Sequence, residues 1–375
     1  MSLVLVPNPM QRPDYTFDHE PSIAEMRQMA IKAMKDLLSV QWTIDRKIAH
    51  SKTGAVGGKR FIYEPYITHA GQPYTNGGKG LMQFMEYYDQ ESGRLNFYGT
   101  PEEFNMEIGC TCAGGVMWGL CSVCHTLTGP FINFNMTPKF GCYPVGDYKI
   151  PDHIENYREY HTSRIMEENG LDLIIDAYTK IQPADAVTSS PKDHTMMCID
   201  YPHVEYGEDG KIDLQKSYVM IQDQRGGQKD GFYPARDGDN LLHYSGRTEF
   251  KYTFRMLIDE FYIPVTPAEF LGTEPYQEAQ VAFDGIVGGK EELIAGSVTS
   301  NYPMAVIKLI LTKRNGHKVM IDRYLFERMD PHNGLARRFP MERMAEAIRS
   351  AEGKELTVEV TAPNSEIVCP ITIQL

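Results

Sequence analysis

The sequence predicts an α+β fold, and three observations carry the prediction. An amphipathic helix follows residue 22, a second apolar helix carries clustered cysteines near residue 112, and from residue 194 the pattern turns to strands. Residues 1–21 are Pro-rich and extended. Ser22 then caps IAEMRQMAIKAMKDLLSVQW, with Glu25 as its capping-box partner. Ile23, Met26, Met29, Ala30, Met34, Leu37 and Leu38 make one apolar stripe along it. Residues 43–80 read as loop-rich, LMQFMEYYDQ as a short helix and ESGRLNFYGTPEEF as a polar loop.

The stretch Gly109–His125, GCTCAGGVMWGLCSVCH, organises the rest. Ala113, Val116, Met117, Leu120, Cys121, Cys124 and Leu127 recur at helical spacing, with one face turned to a core. Gly109 and Thr111 are start-type residues, which places the helix N-terminus near Thr111 or Cys112. A cysteine therefore sits in the first turn. The unpaired N–H groups and partial positive charge there stabilise a thiolate, the nucleophilic form of cysteine. Gly114 and Gly115 cost about 1 kcal/mol each against alanine inside a helix, so a sheet or a substrate backbone must come close.

Three readings of the stretch compete. The cysteines are small hydrophobes of a buried helix, or ligands of a metal, or one of them is a nucleophile. Cys110, Cys112, Cys121 and Cys124 read C-x-C-x8-C-x2-C with His125 adjacent, an inner spacing too short for paired zinc knuckles. No metal ligand is assigned and no cofactor is expected, since neither a P-loop nor a dinucleotide fingerprint is present. A nucleophilic cysteine needs a histidine elsewhere in the chain.

Residues 128–150 are a Gly/Pro/aromatic loop, and residues 154–180 are helical with a break at Gly170. His194–Tyr206 is a strand run with an edge or bulge at Pro202. GEDG supplies a turn and Ser217–Gln224 a second strand. Gly226–Ser245 reads as a polar loop and Phe250–Ile258 as a mixed run. After about Thr273 the character shifts. Ala305–Thr312 and Lys318–Tyr324 flank an Asn-Gly hairpin signal, Leu356–Val360 and Ile367–Ile373 flank APNSE, and Met341–Ala351 reads as a helix. This divides the chain into residues 1–273, which carry the chemistry, and 280–375, a strand-rich accessory domain expected to be a β-sandwich that docks or positions substrate.

The chain has 375 residues and a formal charge of −13, which argues against nucleic acid or an anionic membrane as a main partner. No apolar run approaches a membrane span. MSLVLVPNPMQRPDY lacks a basic n-region and a cleavage site, so the expectation is a cytoplasmic protein as written, or an exported one whose signal has been removed. Seven irregularly clustered cysteines do not read as a disulfide framework, and nothing in the sequence fixes an oligomeric state.

Eleven histidines are present, and His194 stands out because it opens a strand just after SSPKD. Local context then supports it. Gly71-Gln72-Pro73-Tyr74-Thr75-Asn76-Gly77-Gly78, Thr111-Cys112-Ala113-Gly114-Gly115-Val116, Pro183-Ala184-Asp185 and His194-Thr195-Met196-Met197 occur in that order. In them, roughly residues 25–225 resemble the NlpC-type, papain-like cell-wall cysteine peptidases. The resemblance implies a papain-like core, a nucleophile helix packed on an antiparallel sheet. Cys112 would be the nucleophile, His194 the base, a polar residue of the next strand the orienting group, and the Tyr74 hydroxyl a neighbour of the oxyanion. Candidates for the third residue are Gln222, Asp223 and Gln224. Alternation groups Asp223 with Val219 and Ile221, the face expected to pack on the helix, while a bulge would select Gln224. The implied activity is hydrolysis of a peptide or amide bond, with a cell-wall-derived peptide as substrate. The sequence departs from the pattern at Thr111, where the family has Asp, and at Ala113, where it has Ser. It also lacks a second histidine on the next strand and has a longer segment between Tyr74 and Cys112. A non-catalytic binding protein that kept the fold is the alternative, and a zinc-stabilised structural domain is a third reading.

Overall fold

The first helix, α1 (Ile23–Ser39), starts where the capping box puts it. The Glu25 N–H donates to the Ser22 hydroxyl, and the Ser22 N–H donates to the Glu25 carboxylate at 2.8 Å. Met26, Ala30, Met34, Leu37 and Leu38 of the expected stripe are buried, Met29 is half-buried and Ile23 is exposed. The helix ends before Trp42, because Gln41–Trp42 pairs instead with His69–Ala70. The computed structural model describes residues 6–52, 59–127, 136–151, 161–225, 234–237, 240–244, 246–326, 337–364 and 371–375. Among these, no helix is long and apolar enough to cross a membrane.

The cysteine helix, α2 (Cys112–Leu120), begins one residue after its cap: the Thr111 hydroxyl accepts from the Gly114 N–H. All nine of its residues are buried, so the expected single core-facing side is replaced by burial all round. Its glycines show why. A Cβ on Gly119 would sit 2.9 Å from the Met34 Cβ of α1, and one on Gly115 would sit 3.1 Å from the Gln224 Cβ of the sheet. Helix and sheet both press on α2, and only small residues admit them.

That sheet has six strands: β1 (Cys142–Pro144), β2 (Ala186–Ser189), β3 (His194–Cys198), β4 (Tyr218–Gln224), β5 (Gly246–Thr253) and β6 (Ile263–Pro267). Their spatial order is β5-β4-β3-β2-β6-β1, antiparallel throughout. Helices Thr162–Asn169 and Leu171–Thr179 are separated by Gly170 at φ +82°, as the predicted break requires. Several expected loops are ordered. Residues 43–80 contain the antiparallel pair Ile48–Lys52 and Lys59–Tyr63. The polar loop before α2 ends in the first turn of helix Pro101–Glu107, opened by a capping box of Thr100 and Glu103. Pro234–Asp237 and Asn240–Tyr244 are strands inside the expected 226–245 loop. The run after Pro202 forms no strand, and His194–Tyr206 contracts to His194–Cys198.

The molecule is thus an α+β fold of antiparallel sheets and several helices. Beyond residue 280 it is strand-rich. Val306–Thr312 and Lys318–Leu325 form the predicted hairpin, and Glu355–Thr361 pairs with Ile371–Gln374. A four-stranded and a three-stranded sheet share a core with Leu293 and Ile294 of one short helix and Ile348 of another, so the two sheets alone do not make it. This region is tied to the rest of the chain by polar contacts. Lys79 Nζ donates to the Leu325 carbonyl at 2.8 Å, Gln83 to the Phe326 carbonyl at 3.3 Å, and Lys308 pairs with Glu86 at 2.7 Å.

His50 is buried among Phe61, Tyr63 and Phe104, and neither ring nitrogen has a hydrogen-bond partner among the described residues. Burial pushes its pKa down to about 4 from 6.5. The unfolded chain therefore takes up a proton below pH 6.5 that the folded chain refuses until about pH 4. Stability is complete above pH 6.5 and falls as pH drops, by about 2 kcal/mol at pH 5 from this group alone. His50→Leu should remove that slope. Urea titrations at pH 8 and pH 5 would show it as a native-minus-variant difference that changes with pH, and a constant difference would contradict it.

Candidate active site

Tyr74 is placed by backbone pairing. The Cys110 N–H donates to the Pro73 carbonyl, the Thr75 N–H to the Cys110 carbonyl and the Lys79 N–H to the Gly109 carbonyl. Gly109 stands at φ +77°, where a Cβ would collide with the Pro73 oxygen, so the two segments lie flush only because glycine is there. Tyr74 is thereby buried beside Cys112, and its hydroxyl bonds both the Cys112 side chain and its backbone N–H. Burial, and then the negative charge of Cys112, hold the phenol in its protonated form.

Cys112 is the first residue of α2 and 4% exposed. Its Sγ lies 3.7 Å from the Asp193 carbonyl. Asp193 adopts φ +48°, and the turn it makes delivers His194 at the start of β3. His194 bonds the Cys112 thiol group on one side and Asp223 on the other, where Nε2 lies 2.9 Å from Oδ2. With Nε2 committed to Asp223, the ring nitrogen left for sulfur is Nδ1. Burial alone would lower the His194 pKa, but the negative charge of Cys112 and the bond to Asp223 outweigh it and push it up to about 9. The His194 side chain is 17% exposed, which leaves the array an opening to solvent.

Asp223 has no solvent exposure, and burial opposes its charge. Bonds from Arg247 and His194 nevertheless hold its carboxyl well below the usual carboxylate range. Arg247 donates from Nε to Oδ1 at 2.8 Å and from Nη2 to Oδ2 at 2.7 Å.

The structure thus brings Cys112, His194, Asp223 and Tyr74 together, and it separates Gln224 from them. Gln224 donates to the Gln72 carbonyl at 2.6 Å and lies against Gly115 of α2. Gln222, two residues earlier, donates to the Ile31 carbonyl of α1. The face of β4 that packs on the helices is therefore that of Gln222 and Gln224. Asp223, with Val219 and Ile221, lies on the opposite face, the reverse of the sequence expectation. The strand starts on an apolar alternation and ends on buried amides that hold backbone carbonyls, so apolarity misidentifies its helix side.

Pro183-Ala184-Asp185 forms a turn with Ala184 at φ +68°, a conformation in which glycine carries no Cβ penalty. Its Asp185 pairs with buried Arg27 of α1 at 2.7 Å. Burial pushes the thiols of Cys121, Cys124, Cys142 and Cys198 up, which keeps them protonated. Among the described residues no group of three or more His, Cys, Asp or Glu is arranged to hold a metal ion. Arg247 was missed by sequence reasoning. Nothing local in Ser-Gly-Arg-Thr marks it, and its place opposite Asp223 emerges only from the β4–β5 register.

Compared with protein-family models, curated proteins and solved structures, the chain matches none.

Proposed function

We propose that the protein is a cysteine hydrolase that cleaves a peptide or amide bond through Cys112, His194 and Asp223. The observation that carries the reading is His194 bonded to Cys112 on one side and to Asp223, at 2.9 Å, on the other. The core would be papain-like, of the NlpC type: a nucleophile helix on an antiparallel sheet whose strand opens with the base. The region beyond residue 280, as a β-sandwich-like accessory module, would position substrate. A cell-wall-derived peptide is the substrate class the resemblance favours.

In the proposed reaction the Cys112 thiolate adds to the substrate carbonyl carbon. The His194 imidazolium gives its proton to the amine nitrogen as the C–N bond breaks, leaving a thioester on Cys112. Water then attacks the thioester carbon, His194 takes its proton, and the acid product leaves as the C–S bond breaks. The Tyr74 hydroxyl, bonded to the Cys112 N–H and side chain, is close enough to Cys112 to donate to the carbonyl oxygen as it becomes negative, and that exchange would free the Cys112 N–H to do the same. Removing the hydroxyl in Tyr74→Phe should lower kcat by about 10²-fold with KM little changed, because its bond strengthens only as the oxyanion forms. Steady-state kinetics on any hydrolysed substrate would separate this from a binding role, in which KM would rise instead.

The test of the whole reading is alkylation of the native chain by iodoacetamide from pH 5 to 8, resolved by residue in a mass spectrometer. A thiolate already paired with imidazolium gives Cys112 a nearly flat profile. An ordinary thiol, with a pKa of about 8.5, gains close to tenfold per pH unit over this range. That second profile would favour the alternative, a binding protein that kept the site's shape without its chemistry.

A further inference from the structure

We propose that Arg247 is the positioning residue of this array: its guanidinium keeps the Asp223 carboxylate ionised and turned toward His194, and cancels a charge the site would otherwise bury. The role rests on the hydrolase reading above. Asp223 is fully buried, and both its oxygens are taken by the planar fork of Arg247, with Oδ2 shared by His194. A bidentate Arg–carboxylate pair fixes the carboxylate plane as well as its charge. An isolated buried carboxylate would instead take up a proton. In the reactive state the charges run thiolate, imidazolium, carboxylate, guanidinium, and they sum to zero. Without Arg247 the same state buries one net negative charge next to the sulfur that must also be negative.

The local fold is built to present this guanidinium. Strand β5 carries a register shift between Arg247, opposite Asp223, and Phe250, opposite Ile221. Two partner positions face three steps of β5, so the extra residue turns Arg247 and Phe250 to the same face. There the guanidinium carbon lies 3.9 Å from the centroid of the Phe250 ring. One side of the fork is thus covered by an aromatic ring and its edge is directed at the carboxylate.

The charged and titratable groups around Asp223 are His194 from β3, Arg247 from β5 and Tyr262 just before β6. Cys112 and Tyr74 lie beyond His194, Glu260 acts on both Tyr252 and Tyr262, and Arg225 acts on Tyr252. Of these only Arg247 and His194 bond the Asp223 carboxylate.

The experiment is the Cys112 alkylation profile, extended on the acid side until the labelling rate falls, with iodoacetamide on the full chain, in the native protein and in Arg247→Gln, Arg247→Lys, Asp223→Asn and the Asp223→Asn/Arg247→Gln pair. In Arg247→Gln the midpoint of the acid limb should rise by one pH unit or more, and added guanidinium ion should move it partly back. Arg247→Lys, which keeps the charge and loses the fork, should move it by less than half a unit. A folded Arg247→Gln chain with the native profile would overturn the proposal. Should that variant not fold, the amide pair still decides. A residue that acts through Asp223 adds nothing once Asp223 is Asn, so the double variant should match Asp223→Asn within about threefold, and a larger further loss would overturn the role. A native profile resembling that of a free thiol defeats the hydrolase reading itself, and this is visible before any Arg247 variant is made.

Discussion

The Cys112→Ala chain should hydrolyse none of the substrates that the native chain turns over, with kcat/KM lower by on the order of 10⁴ or more. His194→Ala should fall nearly as far, and the double variant no further than Cys112→Ala. The reason is geometric. His194 bridges sulfur and carboxylate in one bonded chain, so either loss disables the same unit. Additive losses would mean that the two residues work separately and that the array does not act as one. The fold should survive, because Cys112 contributes only a small side chain at a helix start whose cap is the Thr111 hydroxyl. Circular dichroism and a melting curve on Cys112→Ala check this, and a peptide and amide library supplies the turnover measurement.

The largest loss of stability should come from Asp185→Ala. Arg27 Nη1 donates to Asp185 Oδ1 and to the Pro183 carbonyl, both at 2.7 Å, and Nη2 donates to the Phe270 carbonyl. The two side chains are 6% and 2% exposed. Removing the carboxylate strands a guanidinium between α1, the turn before β2 and the chain after β6. Breaking a pair this deeply buried costs about 3–5 kcal/mol, against near neutrality when both partners become apolar. Arg27→Met/Asp185→Leu should therefore recover most of what Asp185→Ala loses. Urea unfolding of the three variants measures it. If the double variant is as unstable as the single one, the loss comes from the turn rather than from the stranded charge.

The parts of the fold legible in the sequence were those set by local chemistry. Ser22 with Glu25 and Thr111 before Cys112 fixed two helix starts, Gly170 fixed a break, and Asn315-Gly316 fixed a hairpin. The parts that were hidden depend on partners distant in sequence. Strand Ile263–Pro267 contains two prolines, yet it lies between β2 and β1, with Pro264 opposite Val187 and its carbonyl bonded by the Val145 N–H. Helix Pro101–Glu107 is the exception, because its capping box, Thr100 with Glu103, is a local signal set inside a run whose polarity reads as a loop. In the site, Cys112 is legible from its helix start, and His194 from its strand start together with the order of the surrounding motifs. The Asp223 side chain was named for a packing argument that the structure reverses, and Arg247 had no local mark at all.

The Lys79 contact has a consequence for how divisible the protein is. The segment that lays Tyr74 against Cys112 continues directly into Lys79, whose ammonium is buried and ends on the carbonyl of Leu325. Arg337, from the same later part of the chain, donates to the His125 and Leu127 carbonyls just past the cysteine helix. A chain cut near residue 273 would keep every residue of the Cys112 array and lose two of the props beneath it. In this protein the apparent appendage is a buttress, and a graft of the first part onto another partner would have to supply an acceptor for that ammonium.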